Sequence, residues 1–354
     1  MGLGVSSLVT GCLLAHPCIV LRRTAQVHGS ARNSHTTPFM LAPIAYNLHH
    51  EQGMGCFWKG VSSSLLLQAI DYGLEALLAE ALGWPRQLND NSSNGKVLRH
   101  VLLKCLVAIS TTPLAITAFL DSVRSVRASD GTGPFDCLKL AVTRVLADFS
   151  SSRDVSRRIG FWWLLGPRTA YRLVHYLIAN TTHYVAAAVV RKHMQRRQSA
   201  TGGRSTMEAI FPELMATFAA HLCADALLFP LETAIHRLYL QGTRTLIDDL
   251  DNGQSIVSVT SRYEGLLDCI RSIGRSEGLA GFYKGFGALI LQYLLHYTVL
   301  RCTRVVLEQL EESMGERTAP STPPFQPLPH PTAQYPYQHP PSSLIPRSTP
   351  PNTS

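Results

Sequence analysis

The residues equipped for chemistry sit inside apolar stretches. Asp71 and Glu75 interrupt residues 61–82, Arg168 and Arg172 interrupt 161–190, Asp225 and Glu232 interrupt 209–236, and Arg301 and Arg304 interrupt 285–307. Arg22 directly follows the apolar run 2–21. Ionised side chains are costly against lipid, so such residues face a bundle interior or lie near the membrane interface. Arginines near helix ends can also snorkel to the headgroups. Two chemistries fit this placement. An acid and a base on different helices can pair, and Arg168, Arg172 and Arg301 are candidates to hold an anion in a cavity.

Other chemistries find little support. His175, His221 and His296 read as hydrogen-bonded interior residues, and no His-Glu-x-x-His spacing argues for a metal. The eight cysteines form no Cys-x-x-Cys pair and several lie in apolar runs, which points away from a disulfide framework or zinc site and towards a reducing compartment. Gly285-x-Gly287 lacks a third glycine and follows no strand, so it is not a dinucleotide loop. There is no P-loop or nucleophile elbow, and the acids are too scattered for a general acid–base pair. No enzymatic activity and no cofactor are expected.

The elements that carry these residues are six stretches, at 2–21, 61–82, 97–119, 161–190, 209–236 and 285–307, each near the 20 residues a bilayer core needs. The composition agrees: of 354 residues 45% are hydrophobic and only 16% charged, with a mean hydropathy of +0.06. The net charge is +8, yet no dense basic stripe with interleaved aromatics is present, so nucleic acid is a poor partner and the lipid bilayer a good one. No positive charge precedes Arg22, which argues against a secretory signal. Met1-Gly2-x-x-x-Ser6 fits a myristoylation pattern, although the same glycines serve as small helix residues. The Asn-x-Ser/Thr sites at Asn91, Asn180 and Asn352 carry no weight without such a signal.

The six stretches fall into three pairs. Long polar connections (22–56, 120–160 and 237–281) follow the odd members, and shorter ones (83–96 and 191–208) follow the even members. Prolines close the odd helices at Pro17, Pro113 and Pro230, and a glycine opens each even helix at Gly60, Gly166 and Gly285. Proline removes a ladder bond and bends a helix, so three such positions suggest three equivalent, tilted helices. The predicted organisation is repeat 1 over 1–95, a degenerate repeat 2 over 96–205, repeat 3 over 206–314 and a tail over 315–354. The tail is proline-rich: 12 of the chain's 21 prolines lie between residues 318 and 354. Such a segment reads as disordered, with polyproline II character.

The third repeat carries the sharpest pattern. Pro230-Leu231-Glu232 leads to Tyr263-x-Gly265, then Glu277-Gly278, then Gly281-Phe282-Tyr283-Lys284-Gly285. The first repeat echoes it with Pro17, Arg22 and Phe57-Trp58-Lys59-Gly60, and the second more faintly with Pro113, Phe135-Asp136-Cys137 and Trp163-Leu164-Leu165-Gly166. In these motifs, over about residues 1–310, the sequence resembles the mitochondrial carrier family. The resemblance implies an all-α membrane protein with six transmembrane helices in three pseudo-threefold repeats, the mitochondrial carrier fold. In transporting members, ion-pair rings from the Pro-x-Asp/Glu-x-x-Lys/Arg motifs and from acids on the even helices close the cavity alternately. Here the acid position of repeat 1 is Ile19 beside Arg22, repeat 2 has Ala115 and Ala118, and repeat 3 has Glu232 beside Ile235. One pair, Arg22 with Glu232, is all that six charges leave. Neither 161–190 nor 285–307 contains an Asp or Glu, so a second three-membered ring has no members there.

Runs such as His16-Pro17-Cys18-Ile19-Val20-Leu21-Arg22-Arg23 and Gly281-Phe282-Tyr283-Lys284-Gly285-Phe286-Gly287-Ala288 are similar to a divergent outer-membrane branch of that family, solute carrier family 25. That resemblance implies a multi-pass protein of the mitochondrial outer membrane. It further implies a non-transporting adaptor that balances mitochondrial fusion and fission and supports cristae organisation and lipid supply. The partners it implies are mitochondrial fusion GTPases, the cristae-organising complex and endoplasmic-reticulum membrane proteins. The branch usually carries a polar segment ahead of the first helix, which this sequence does not show. A genuine solute (anion) transporter, using Arg168, Arg172 and Arg301, and a lipid-holding cavity are the competing expectations.

Overall fold

The computed structural model describes residues 2–86, 93–128, 133, 135–149, 159–198 and 206–318. Of the expected features, the tail beyond 318 and the sites at Asn91 and Asn352 lie outside the described residues. The chain divides into two compact units, Met1–Glu308 and Gln309–Ser354, and the first carries the helical bundle.

The described residues are mostly helical. Among the described residues, six long helices alternate with short surface elements. They are α1 (Gly2–Val27), then after α2 (Ala42–Gln52) α3 (Val61–Leu82) and α4 (Asn94–Val123), and after α5 (Asp136–Phe149) α6 (Phe161–Gln198) and α7 (Thr206–Leu240). A hairpin of β1 (Leu246–Asp248) and β2 (Ile256–Ser258), then α8 (Leu266–Ser276) and α9 (Gly278–Phe282), lead into α10 (Phe286–Thr318). By length and composition, three described helical stretches could cross a membrane: Asn94–Val123, Phe161–Val190 and Glu213–Leu240, with mean hydropathies of 1.8, 1.2 and 1.6.

Helix α3 packs on α4, α4 on α6 and α6 on α7, while α1 touches both α4 and α7. The main core lies among α4, α6, α7 and α8, where Ile116, Phe119, Phe161, Leu164, Leu238 and Ile273 are buried together. A second cluster joins Phe229 of α7 to Leu289 and Tyr293 of α10.

Two expectations need correcting. The prolines do not close the odd helices: Pro17, Pro113 and Pro230 lie inside α1, α4 and α7, which run on to Val27, Val123 and Leu240. A proline costs one ladder bond but leaves the following turns able to pair, and Thr hydroxyls take up carbonyls nearby, as Thr117 does with Leu114 O at 2.9 Å. Nor does Gly166 open its helix, because α6 already begins at Phe161, whose N–H is capped by the Asp148 carboxylate. The connection after α7 also carries a short hairpin, in which Leu246↔Ser258 and Ile247↔Val257 pair.

Candidate functional site

Where α1, α6, α7 and α10 converge, side chains from four helices build one polar network. Its centre is Arg22 of α1, buried, with Nη2 3.1 Å from Glu232 Oε1 and Nη1 4.0 Å from Asp225 Oδ2. One turn further along α1, Gln26 donates from Nε2 to Glu232 Oε2 at 3.1 Å and accepts from His236 Nδ1 at 2.7 Å. Asp225 is claimed from two more sides, by His175 Nε2 of α6 at 2.8 Å and by the Tyr293 hydroxyl of α10 at 2.7 Å. The His236 ring stacks on Phe119 of α4 with centroids 4.2 Å apart. Asp225, Glu232 and His236 share one face of α7, at spacings of seven and four residues.

The network therefore holds one base between two acids. Around it, the positions where a charged ring would need partners are apolar: Ala115, Ala118 and Ile235 are 4%, 2% and 3% exposed. A single buried pair with added hydrogen bonds joins helices firmly, because separating it leaves an uncompensated charge in a low-dielectric interior. It cannot form a ring.

Two lysines do related work at the ends of helices. Lys284, at the motif that opens α10, donates from Nζ to the carbonyls of Gly29 at 2.7 Å and Ala31 at 3.0 Å, just past the end of α1. It also pairs with Glu277 Oε2 at 2.8 Å, and Glu277 is gripped again by Arg237 of α7, Nη2 to Oε2 at 2.9 Å. Lys59, at the equivalent place before α3, reaches Val123 O at the end of α4 at 3.4 Å and Asp248 Oδ2 of β1 at 2.7 Å. Burial pushes the Asp248 and Glu277 carboxyls up, but the Lys59 ammonium and the Arg237 guanidinium outweigh it and hold both below the usual carboxylate range.

The glycines beside these lysines explain the close approach. Gly285 has φ +82°, and a Cβ there would lie 2.8 Å from Ala25 Cβ and 3.0 Å from Arg22 O. Gly60 has φ +69° and would put a Cβ 2.7 Å from Ser122 N. So the Lys284-Gly285 corner rests on α1 and the Lys59-Gly60 corner on α4. Leu165 and Gly166 do not continue the pattern: the Gly166 Cβ position meets nothing within 4 Å, and Leu165 packs in the apolar core.

The three candidate cavity arginines separate. Arg172 lines a cavity of about 320 Å³ with Glu75, Lys104, Thr169, His175 and His221, and its Nη1 meets Asp71 Oδ2 at 3.2 Å. Arg168 is buried, with no hydrogen-bond partner for Nε or Nη2 among the described residues, and is not part of that lining. Arg301 is exposed. Among the described residues no group of His, Cys, Asp or Glu could hold a metal ion.

Sequence reasoning put Arg22 beside Glu232 but missed Gln26, His236, Asp225 and Tyr293 as their company. A signal existed for part of it: Gln26 follows Arg22 by four residues and His236 follows Glu232 by four, the spacing that stacks side chains on one helix face.

Comparison with known proteins completes the site. Residues 206–311 match the mitochondrial carrier protein family. Over 316 residues the chain is 41% identical to solute carrier family 25 member 46-A of Xenopus laevis, covering 88% of this chain and 75% of the relative. It is 38% identical over 317 residues to mitochondrial outer membrane protein SLC25A46 of Gallus gallus, covering 89% and 77%. The human protein of that name is 37% identical over 312 residues, covering 87% and 74%.

Proposed function

Because this chain belongs to the mitochondrial carrier family, solute carrier family 25, in its member 46-like branch, we propose that it is a multi-pass protein of the mitochondrial outer membrane that uses a carrier scaffold as an adaptor and not as a pump. The proposal includes six spans in three repeats, 1–95, 96–205 and 206–314. Its role is to promote the balance of fusion and fission, cristae organisation and lipid supply. It would meet the fusion GTPases, the cristae-organising complex and endoplasmic-reticulum membrane proteins.

One observation carries this reading: of the six gate positions, a single acid–base pair remains, Arg22 with Glu232, and it is enclosed by Gln26 and His236 in a fixed network. Alternating access needs closures that break and re-form at low cost. A lone buried pair is instead a permanent clasp, since breaking it costs about 3–5 kcal/mol with no partner pair to compensate. Outer-membrane residence draws support from the relatives' names.

The test combines fractionation with morphology. In intact mitochondria, exposed loops should be cut by added protease without rupture of the outer membrane. In cells lacking the protein, the wild type and the variant Arg22→Met/Glu232→Leu should both restore the mitochondrial network. Protection from protease, or rescue that depends on the ion pair, would contradict the proposal. The 320 Å³ cavity supports the second reading, an anion transporter, since Lys104 and Arg172 both line it.

A further inference from the structure

The cations of the cavity are already occupied. Lys104 Nζ of α4 donates to both oxygens of Glu75 at 2.8 Å, and Arg172 Nη1 of α6 donates to Asp71 Oδ2 at 3.2 Å. Both acids belong to α3, four residues apart, so they lie on one face with their Cβ atoms about 5–6 Å apart. Helix α3 packs on α4, and α4 on α6, so the Asp71–Arg172 bridge joins helices two places apart in the bundle. The acids are the more covered partners. Glu75 and Asp71 expose 13% and 16% of their side chains, against 29% and 40% for Lys104 and Arg172. The cations thus keep an open side towards the cavity while α3 covers the other.

Two cations held by two carboxylates one helical turn apart form a site for a short dicarboxylate. Here the chain supplies the carboxylates itself. We infer that Asp71 and Glu75 act as a built-in ligand: they fill a dicarboxylate-binding site made by Lys104 and Arg172 and so keep free solutes out of it. The inference deepens the reading of a scaffold that does not transport, and rests on it. It also explains how a cavity with two basic side chains stays closed to anions. A free acid must displace a tethered one, and a tethered group competes at a high effective concentration. His175 does not alter this balance, because its Nε2 is engaged by Asp225.

The test uses the full chain in detergent micelles, with thermal unfolding followed by tryptophan fluorescence and succinate as the probe. Wild type should gain no stability from succinate. Asp71→Asn/Glu75→Gln should bind it at least about tenfold more tightly, a difference of about 1.4 kcal/mol, and adding Lys104→Met should remove the gain. Should the double variant not fold, Glu75→Gln alone leaves the Asp71–Arg172 bridge in place and frees one cation. A smaller gain is then expected, and none at all would overturn the inference. Equal succinate binding by the wild type would overturn it too. A gain for inorganic phosphate without one for succinate would overturn the dicarboxylate assignment. Saturable transport by the wild type would instead defeat the scaffold reading, whatever the variants do, so the two failures are distinguishable.

Discussion

The Lys284-Gly285 corner against α1 and the Gly166 corner of α6 are held in different ways. At the first, Gly285 lets the chain press against Ala25 and Arg22 O while Lys284 ties the end of α1 to Glu277 and Arg237. At the second, a Cβ at Gly166 would meet nothing within 4 Å, and Phe161, Leu164 and Leu165 pack into the apolar core with Leu238 and Ile235. One corner is held by backbone contact and charge, the other by apolar burial. A helical scaffold can thus be packed without a polar corner, because burial is non-directional and tolerates a shifted helix start. Charge chemistry is position-specific, and where it disappears a mechanism that needs it disappears as well.

The contrast can be broken most sharply at the glycines. Gly285→Val should destabilise the protein by about 3 kcal/mol or more, since it combines a strained φ with contacts that cannot relax. Gly166→Ala should be neutral or stabilise by about 0.5–1 kcal/mol, as glycine-to-alanine does inside a helix. Chemical unfolding in micelles measures both. Equal costs would mean that the two corners are built alike.

Next in size is the clasp. Arg22→Met alone should cost about 3–5 kcal/mol by leaving the Glu232 carboxylate without its guanidinium partner in the interior, whereas Arg22→Met/Glu232→Leu should recover most of that loss. A double-mutant cycle reads the coupling; additive losses would show that the pair does not hold the bundle. Lys284→Met should cost about 2–3 kcal/mol, because it strips a charged donor from the carbonyls that end α1 and loosens Glu277. Lys59→Met should cost a similar amount, and Leu165→Met, at the corner without a lysine, under about 1.5 kcal/mol.

The smallest effect concerns acid. Burial pushes His28 and His35 below the ordinary histidine range, against the pull of Asp249 on His28 and of Asp251 on His35. A histidine kept neutral in the folded state contributes stability that is complete above its unfolded pKa of about 6.5 and declines as pH falls below it. Lowering the pH from 7 to 5 should therefore reduce the unfolding temperature by about 2–4 °C. His35→Asn, which suits the φ of +48° at that position, should flatten the decline. An unchanged slope would remove His35 from the explanation.

Much of this was legible in the residues themselves. The apolar stretches marked the long helices, and Ile19, Ala115, Ala118 and Ile235 left Arg22 and Glu232 as the one acid–base pair, which the fold brings to 3.1 Å. Proline's local signal misled over helix ends, because pairing in later turns carries α1 and α4 beyond it, to ends where Lys284 and Lys59 meet carbonyls. Gly166 misled because a motif in register predicts equivalent geometry, while the Asp148 cap, thirteen residues before Phe161 in sequence, decides where α6 starts. Asp225, Tyr293 and the α3 acids escaped notice as a group, since their partners lie on other helices and no spacing along one chain segment reveals them.

A carrier scaffold that keeps its helices without its gates, as we propose for this chain, moves no solute across a bilayer, and reconstitution reads this. Purified protein in liposomes, loaded and challenged in turn with dicarboxylates, phosphate and nucleotides, should give no saturable exchange above protein-free vesicles. Saturable, inhibitor-sensitive counter-exchange of any of these solutes would contradict it.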